Sequence, residues 1–280
     1  MDEHAASLSE AAREAAEYVR NRYRGIPKVG IILGSGLGGL AEMVEQATCI
    51  SYEETPCLSR STAIGHQGQF VCGHLGGVEA IVMQGRFHLY EGYAIDDVTL
   101  PVEVMCRLGI QTLIVSNAAG GLNPQFSAGD VMILSGHLNR MHRKPQKGMP
   151  GQLECVWMQS TLRPYDPELN MIAKQIARKH DFEAPLGIYT GHLGPNYETR
   201  AEYRYLRRVG ADAVGMSTIP EVLVAQAHDV RTLALSAITN VCSPDALSET
   251  TAEEVLETAA IAGEKISKIV LEMLEKHFPI

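Results

Sequence analysis

The glycine-rich stretch Gly34-Ser-Gly-Leu-Gly-Gly39 follows the apolar run VGIIL (29–33). A glycine turn between a strand and a helix offers unpaired backbone N–H groups and a positive dipole end to an anion, and Ser35 adds a hydroxyl donor. The same letters fit the GxGxxG dinucleotide pattern, and Glu53 and Glu54 stand roughly where such a fold places its ribose-binding acid. An NAD-binding reading and a plain tight turn therefore both stay open at this point. Arg86 and His88 lie in GRFHLYEGY, just after the run EAIVMQ (79–84). An Arg fork holds phosphate through two bonds and a nearby His adds a donor, although a surface ion pair would also use these types. Asn117-Ala-Ala-Gly-Gly121 follows TLIVS (112–116), and its small residues let a ligand approach the backbone at Ala118. Ser217 follows DAVGM, Asn240 follows LALSAIT, and Glu198 closes GPNYE just before a helix. Polar groups at five strand ends can converge on one edge of an open α/β sheet, where such proteins bind ligands, which predicts a site there.

The elements that must position these residues are legible as alternating patterns. Residues 7–24 read as an amphipathic helix, with Ser7 and Glu10 as a capping box and Gly25 and Pro27 as its stop. A helix is expected near 37–46. Further runs at 69–74, 79–84, 112–116, 130–134, 185–190, 212–216 and 231–239 are strands. Several are too continuous to be half exposed, which predicts a sheet covered on both sides. Asp166-Pro167, Thr199 with Glu202, and Thr251 with Glu254 carry helix-start chemistry. The fold class is α/β: one domain over residues 1–280, with a mixed twisted sheet flanked by helices. The segment 140–163 is basic and rich in Gly, Pro and Gln. It reads as a lid or binding loop, or else as a solvated surface excursion.

Bulk composition narrows the class. The chain has 280 residues, 45% of them apolar and 20% charged, as in a soluble globular protein. Its net charge of −9 argues against a nucleic-acid partner. The six cysteines form no CxxC pair and no zinc-ligand spacing, which reads as reduced thiols and no metal site. The acidic start MDEHAASLSE is not a signal peptide, and no apolar run is long enough to span a bilayer, so no membrane association and a cytoplasmic location are expected.

Taken in order, GSGLGG (34–39), GRFHLYEGY (85–93), SNAAGGLNP (116–124), GPNYET (194–199), GADAVGMSTIPE (210–221) and ITN (238–240) resemble the successive motifs of trimeric, low-molecular-mass purine nucleoside phosphorylases. The resemblance implies a homotrimer that cleaves purine nucleosides with inorganic phosphate and needs no metal or organic cofactor. It implies phosphate held by Ser35, Arg86, His88, the Ala118 backbone and Ser217, with His66 of GHQG close by. Glu198 and Asn240 would hold the base, Tyr197 would stack on it, and Tyr90 and Met216 would contact the ribose. Asn240, Glu198 and His88 would be the catalytic residues.

Three positions depart from the family pattern. Ala252 stands where many members have a His that binds the ribose 5′-hydroxyl, and alanine cannot make that bond. Val241 stands where some carry Lys. The segment 140–163 lacks the usual pattern of a region that supplies an aromatic to the neighbouring subunit, with Trp157 as a stand-in. The sugar end therefore admits an alternative, a 5′-methylthio purine nucleoside. The pairing of Asn240 with Glu198 points to a 6-oxopurine base.

Overall fold

The computed structural model describes residues 3–61, 67–141, 163–245 and 251–278. His66 and Trp157, and with Trp157 most of the 140–163 segment, lie outside these residues, as does the side chain of Ala252.

The strands are β1 (Val29–Leu33), β2 (Glu45–Ser51), β3 (Gln69–Leu75), β4 (Val78–Gln84), β5 (Thr112–Gly121), β6 (Val131–Asn139), β7 (Leu186–Gly191), β8 (Ala213–Gly215) and β9 (Arg231–Val241). The helices are α1 (Glu3–Arg22), α2 (Ile95–Leu108), α3 (Pro167–Lys179), α4 (Arg200–Arg208), α5 (Ile219–Ala227) and α6 (Ala252–His277). The nine strands of the described residues join one sheet in the order β2-β3-β4-β1-β5-β8-β7-β6-β9. Pairing is mixed, as expected: β4, β1, β5 and β9 run parallel, while β2-β3-β4 is an antiparallel meander.

Both faces are covered. Val19, Val102 and Val222 of α1, α2 and α5 pack on one side in a cluster with Ile32, Ile81 and Leu113. Ala173 of α3 and Ile269 of α6 pack on the other with Ile31, Val82 and Leu233. Every residue of β1 is buried, which is why its sequence is an unbroken apolar run.

Four details differ from the sequence reading. Helix α1 begins at Glu3, so Ser7 lies inside it and Glu10 pairs with Arg13 (3.0 Å) rather than closing a cap. The alanine-rich start propagates the helix past the predicted boundary. The helix expected near 37–46 is a 3-10 helix over Gly38–Met43 followed by β2, because a glycine-rich start favours a short, tight helix and residues from Glu45 pair with β3. Strands β5 and β9 continue to Gly121 and Val241, so Ala118 and Asn240 sit within strands rather than after them. Small residues end the apolar signal there without ending the pairing. Finally, β9 pairs with β5 as well as with β6, so β5, β8, β7, β6 and β9 close into a ring, and the sheet is open only on its β1-β4-β3-β2 side.

The predicted starts of the other helices hold. The Asp166 carboxylate accepts from Glu168 N and Leu169 N at the head of α3. Thr199 with Glu202, and Thr251 with Glu254, form capping boxes on α4 and α6. No helix among the described residues is long and apolar enough to cross a membrane.

Candidate active site

The ends of β1, β4, β5, β8 and β9 surround one cleft. Ser35, Arg86, His88, Tyr90, Ala118, Tyr197, Glu198, Met216, Ser217 and Asn240 all line it, so every predicted site residue among the described residues is brought together.

Close backbone approach builds one end. A Cβ on Gly34 would lie 2.8 Å from Asn117 Cα and 2.9 Å from Ser116 O, so only glycine lets β1 turn against β5 here. Gly34 N donates to Ser116 Oγ (3.3 Å). Because a six-residue 3-10 helix follows, the anion-binding capacity of this loop rests on its own N–H groups and on Ser35, not on an α-helix dipole. Arg86 is 1% exposed. Its guanidinium donates to Ser116 O, to Thr218 Oγ1 (3.3 Å) and to Glu221 Oε1 (3.5 Å). His88 Nδ1 lies 2.8 Å from Glu91 Oε1, and the His88 ring stacks on Tyr90 with centroids 4.7 Å apart. Burial pushes the Tyr90 hydroxyl up to about 12, so it stays a neutral donor at neutral pH. A buried Arg beside a His, a serine turn and Ser217 suits an anion with several oxygens.

The other end is aromatic and more apolar. Tyr197, Tyr203 and Cys242 surround Glu198 and Asn240. The Glu198 side chain is 5% exposed, with His192 Nδ1 3.5 Å from its Oε1. Burial raises the Glu198 carboxyl above the usual carboxylate range, and the nearby Glu202 adds to this. Asn240 owes its position to a β-bulge. The β5–β9 register runs Ala119↔Ile238 and then Gly120↔Asn240, which leaves Thr239 as the extra residue. The single hydrogen of Thr239 Oγ1 is shared between Ala119 O (3.3 Å) and Asn240 Oδ1 (3.2 Å), while Asn240 Nδ2 lies 3.6 Å from Cys242 Sγ.

Comparison with known proteins places this cleft in a family. Residues 28–275 match the phosphorylase superfamily. Purine nucleoside phosphorylase 1 of Geobacillus stearothermophilus is 44% identical over 248 residues, 89% of this chain and 90% of that protein. The Bacillus subtilis protein of the same name is 42% identical over 272 residues, 96% of this chain and all of its own. The chain belongs to the purine nucleoside phosphorylase family.

Solved phosphorylase structures agree. A Schistosoma purine nucleoside phosphorylase in complex with hypoxanthine superposes with a TM-score of 0.87 at 36% identity, covering 97% of this chain and 98% of its own. The Schistosoma mansoni enzyme in complex with inosine gives 0.87 at 35% identity, with 97% of each chain covered. The dinucleotide reading falls with this family assignment. In this phosphorylase fold β1 leads into an antiparallel meander rather than a βαβ unit, and Glu53 pairs with Arg60 (2.8 Å) at the surface.

Sequence reasoning did not single out Thr218, Glu221, Glu91, Tyr203 or Cys242. Thr218 and Glu221 stand inside the quoted motif GADAVGMSTIPE and Glu91 inside GRFHLYEGY, yet only the fold shows what they touch. Thr218 is fully buried and has φ +75, which β-branched residues rarely adopt and which costs about 1–3 kcal/mol.

Proposed function

We propose that this chain is a purine nucleoside phosphorylase acting on 6-oxopurine nucleosides. It converts inosine, guanosine and their 2′-deoxy forms reversibly to free base and (deoxy)ribose 1-phosphate, in purine salvage. The observation that carries this reading is one cleft lined by anion donors at one end and by a buried carboxylate and a part-buried carboxamide at the other.

Phosphate is held by Ser35, Arg86, His88, the Ala118 N–H and Ser217, with His66 adjacent. Tyr197 stacks on the purine, and Tyr90 and Met216 contact the ribose. Glu198 accepts the N1–H of the base. Asn240, whose carbonyl oxygen already accepts from Thr239, turns its NH₂ to the five-membered ring. As the glycosidic bond breaks, its electron pair leaves with the purine, and Asn240 stabilises that charge by donating to the ring nitrogen. A phosphate oxygen attacks the anomeric carbon from the opposite face and forms the C1–O bond. No side chain serves as nucleophile, and the Arg and His contribute by positioning the anion. Inorganic phosphate is the co-substrate, with no metal or organic cofactor. The reading includes a cytoplasmic homotrimer.

The test follows hypoxanthine release from inosine with and without phosphate. Release that depends on phosphate supports the reading. Release from methylthioinosine but not from inosine moves the substrate to the 5′-modified class, and a strong preference for adenosine overturns the role given to Asn240.

A further inference from the structure

Behind the anion end of the cleft lies a closed set of buried hydrogen bonds centred on Thr218. Its Oγ1 accepts from Arg86 Nη1 (3.3 Å) and from Asn117 Nδ2 (2.9 Å), and it lies 3.2 Å from Ser217 Oγ. The Asn117 amide is oriented by Ser236 Oγ, which donates to its Oδ1 (2.8 Å). Thr218, Asn117 and Ser236 are all 0–1% exposed, so bulk water does not compete for these bonds.

With the Asn117 amide oriented in this way, counting donors gives the direction of the Thr218 and Ser217 protons. A hydroxyl has one hydrogen and two acceptor sites, and neither a guanidinium nor an amide NH₂ can accept. Both acceptor sites of Thr218 are therefore occupied by Arg86 and Asn117. Its single hydrogen has Ser217 Oγ as its partner. Ser217 is then an acceptor toward Thr218, and its own hydrogen points elsewhere. Ser217 lines the cleft, and the cleft is where an anion oxygen would take that hydrogen.

We propose that Thr218 is a positioning residue that orients Arg86 and commits the Ser217 hydroxyl to donate into the cleft, so that the site is pre-set for an acceptor-only oxyanion. A γ-turn at Thr218, with φ +75, ψ −49 and Ile219 N donating to Ser217 O (2.9 Å), places its hydroxyl between the three groups. Glu221, 1% exposed, holds the same Nη1 of Arg86 from the next turn of chain. The inference rests on the phosphorolysis reading for the identity of the anion as phosphate.

The experiment compares wild type, Thr218→Val and Thr218→Ser. Valine keeps the branched shape without the hydroxyl, and serine keeps the hydroxyl. KM for phosphate and KM for inosine are measured separately, phosphate affinity is measured by titration calorimetry, and melting temperature is recorded for each. Thr218→Val should raise KM and Kd for phosphate about tenfold and leave KM for inosine within about twofold, the loss expected when a buried hydrogen-bond hub is removed. Thr218→Ser should return both to within about threefold of wild type. Unchanged phosphate affinity in a folded Thr218→Val protein overturns the inference, as does an equal rise in both KM values. If the valine variant fails to fold, Thr218→Cys, whose thiol is a weak donor, replaces it under the same criteria. A wild type that binds phosphate but does not turn over inosine refutes the functional reading alone, and the calorimetric comparison still decides the role of Thr218.

Discussion

Asn240 presents a carboxamide whose oxygen lies 3.2 Å from the Thr239 hydroxyl and whose NH₂, with one hydrogen toward Cys242 Sγ (3.6 Å), keeps its second for a ligand. In the reaction proposed above, Asn240→Ala removes a donor to the leaving group, and kcat for inosine should fall about 10²–10³-fold with KM for phosphate little changed. Glu198 makes a prediction about pH. Burial raises its carboxyl, so it takes up a proton at a higher pH than an exposed glutamate. A protonated Glu198 cannot accept the N1–H. The ratio kcat/KM for inosine should therefore drop on the acid side through a limb lying above the usual glutamate value. In Glu198→Gln that limb should be absent and the activity low throughout; an unchanged acid limb in this variant would remove Glu198 from the assignment. Asn, Arg and His were legible in the sequence because each followed an apolar run, and Glu198 because it closes a Gly-Pro loop just before a helix. Thr218 and Glu221 were not, because a Thr and a Glu at the head of a helix look like ordinary caps until Arg86, well over a hundred residues away in the chain, is seen against them.

Elements carry the next level of positioning. Helices α2 and α5 are tied by His228 Nε2 and Glu103 Oε2 at 2.8 Å, and this bond raises the His228 pKa above its usual 6.5 although burial and the Arg107 charge oppose it. A histidine with a raised folded value contributes stability that is full below its unfolded pKa and is lost as pH rises through the folded one. Melting temperature should accordingly decline from about pH 6.5 upward through that window, and Glu103→Gln should flatten the decline. Gly120 in β5 is a second element-scale test. A Cβ there would lie 2.5 Å from Cys242 Sγ, so Gly120→Ala should destabilise by about 1–3 kcal/mol through overpacking, read as a lower melting temperature. Strand and helix existence was read well from apolar runs and caps, as at Thr199 and Thr251. The 37–46 region was misread because a short glycine-led segment carries no period that separates a 3-10 turn and an edge strand from a helix.

At the scale of the molecule, the sequence predicted a mixed sheet buried on both sides, and the two hydrophobic layers bear this out. It did not reveal that β9 returns to β5 and closes a ring, since strand pairing over more than a hundred residues leaves no local pattern. Assembly is a property of the same scale. Sedimentation equilibrium should give three times the 30.5 kDa chain mass if the homotrimer proposed above forms, and a monomer mass would refute it.

The parallel β5–β9 ladder also acts as a gauge. Ala118 at the anion end is opposite Ala237, and Gly120 is opposite Asn240 at the base end. Two residues of β5 separate these levels, about 7 Å at the usual rise of a strand, and three of β9, which absorbs its extra residue in the bulge at Thr239. That span is set by backbone pairing and belongs to no side chain. On the reading proposed above, the cleft measures its sugar against a fixed scale ruled in peptide units. Substitutions among the lining side chains can retune which base is accepted, while the length allowed between base and anion is inherited from the fold.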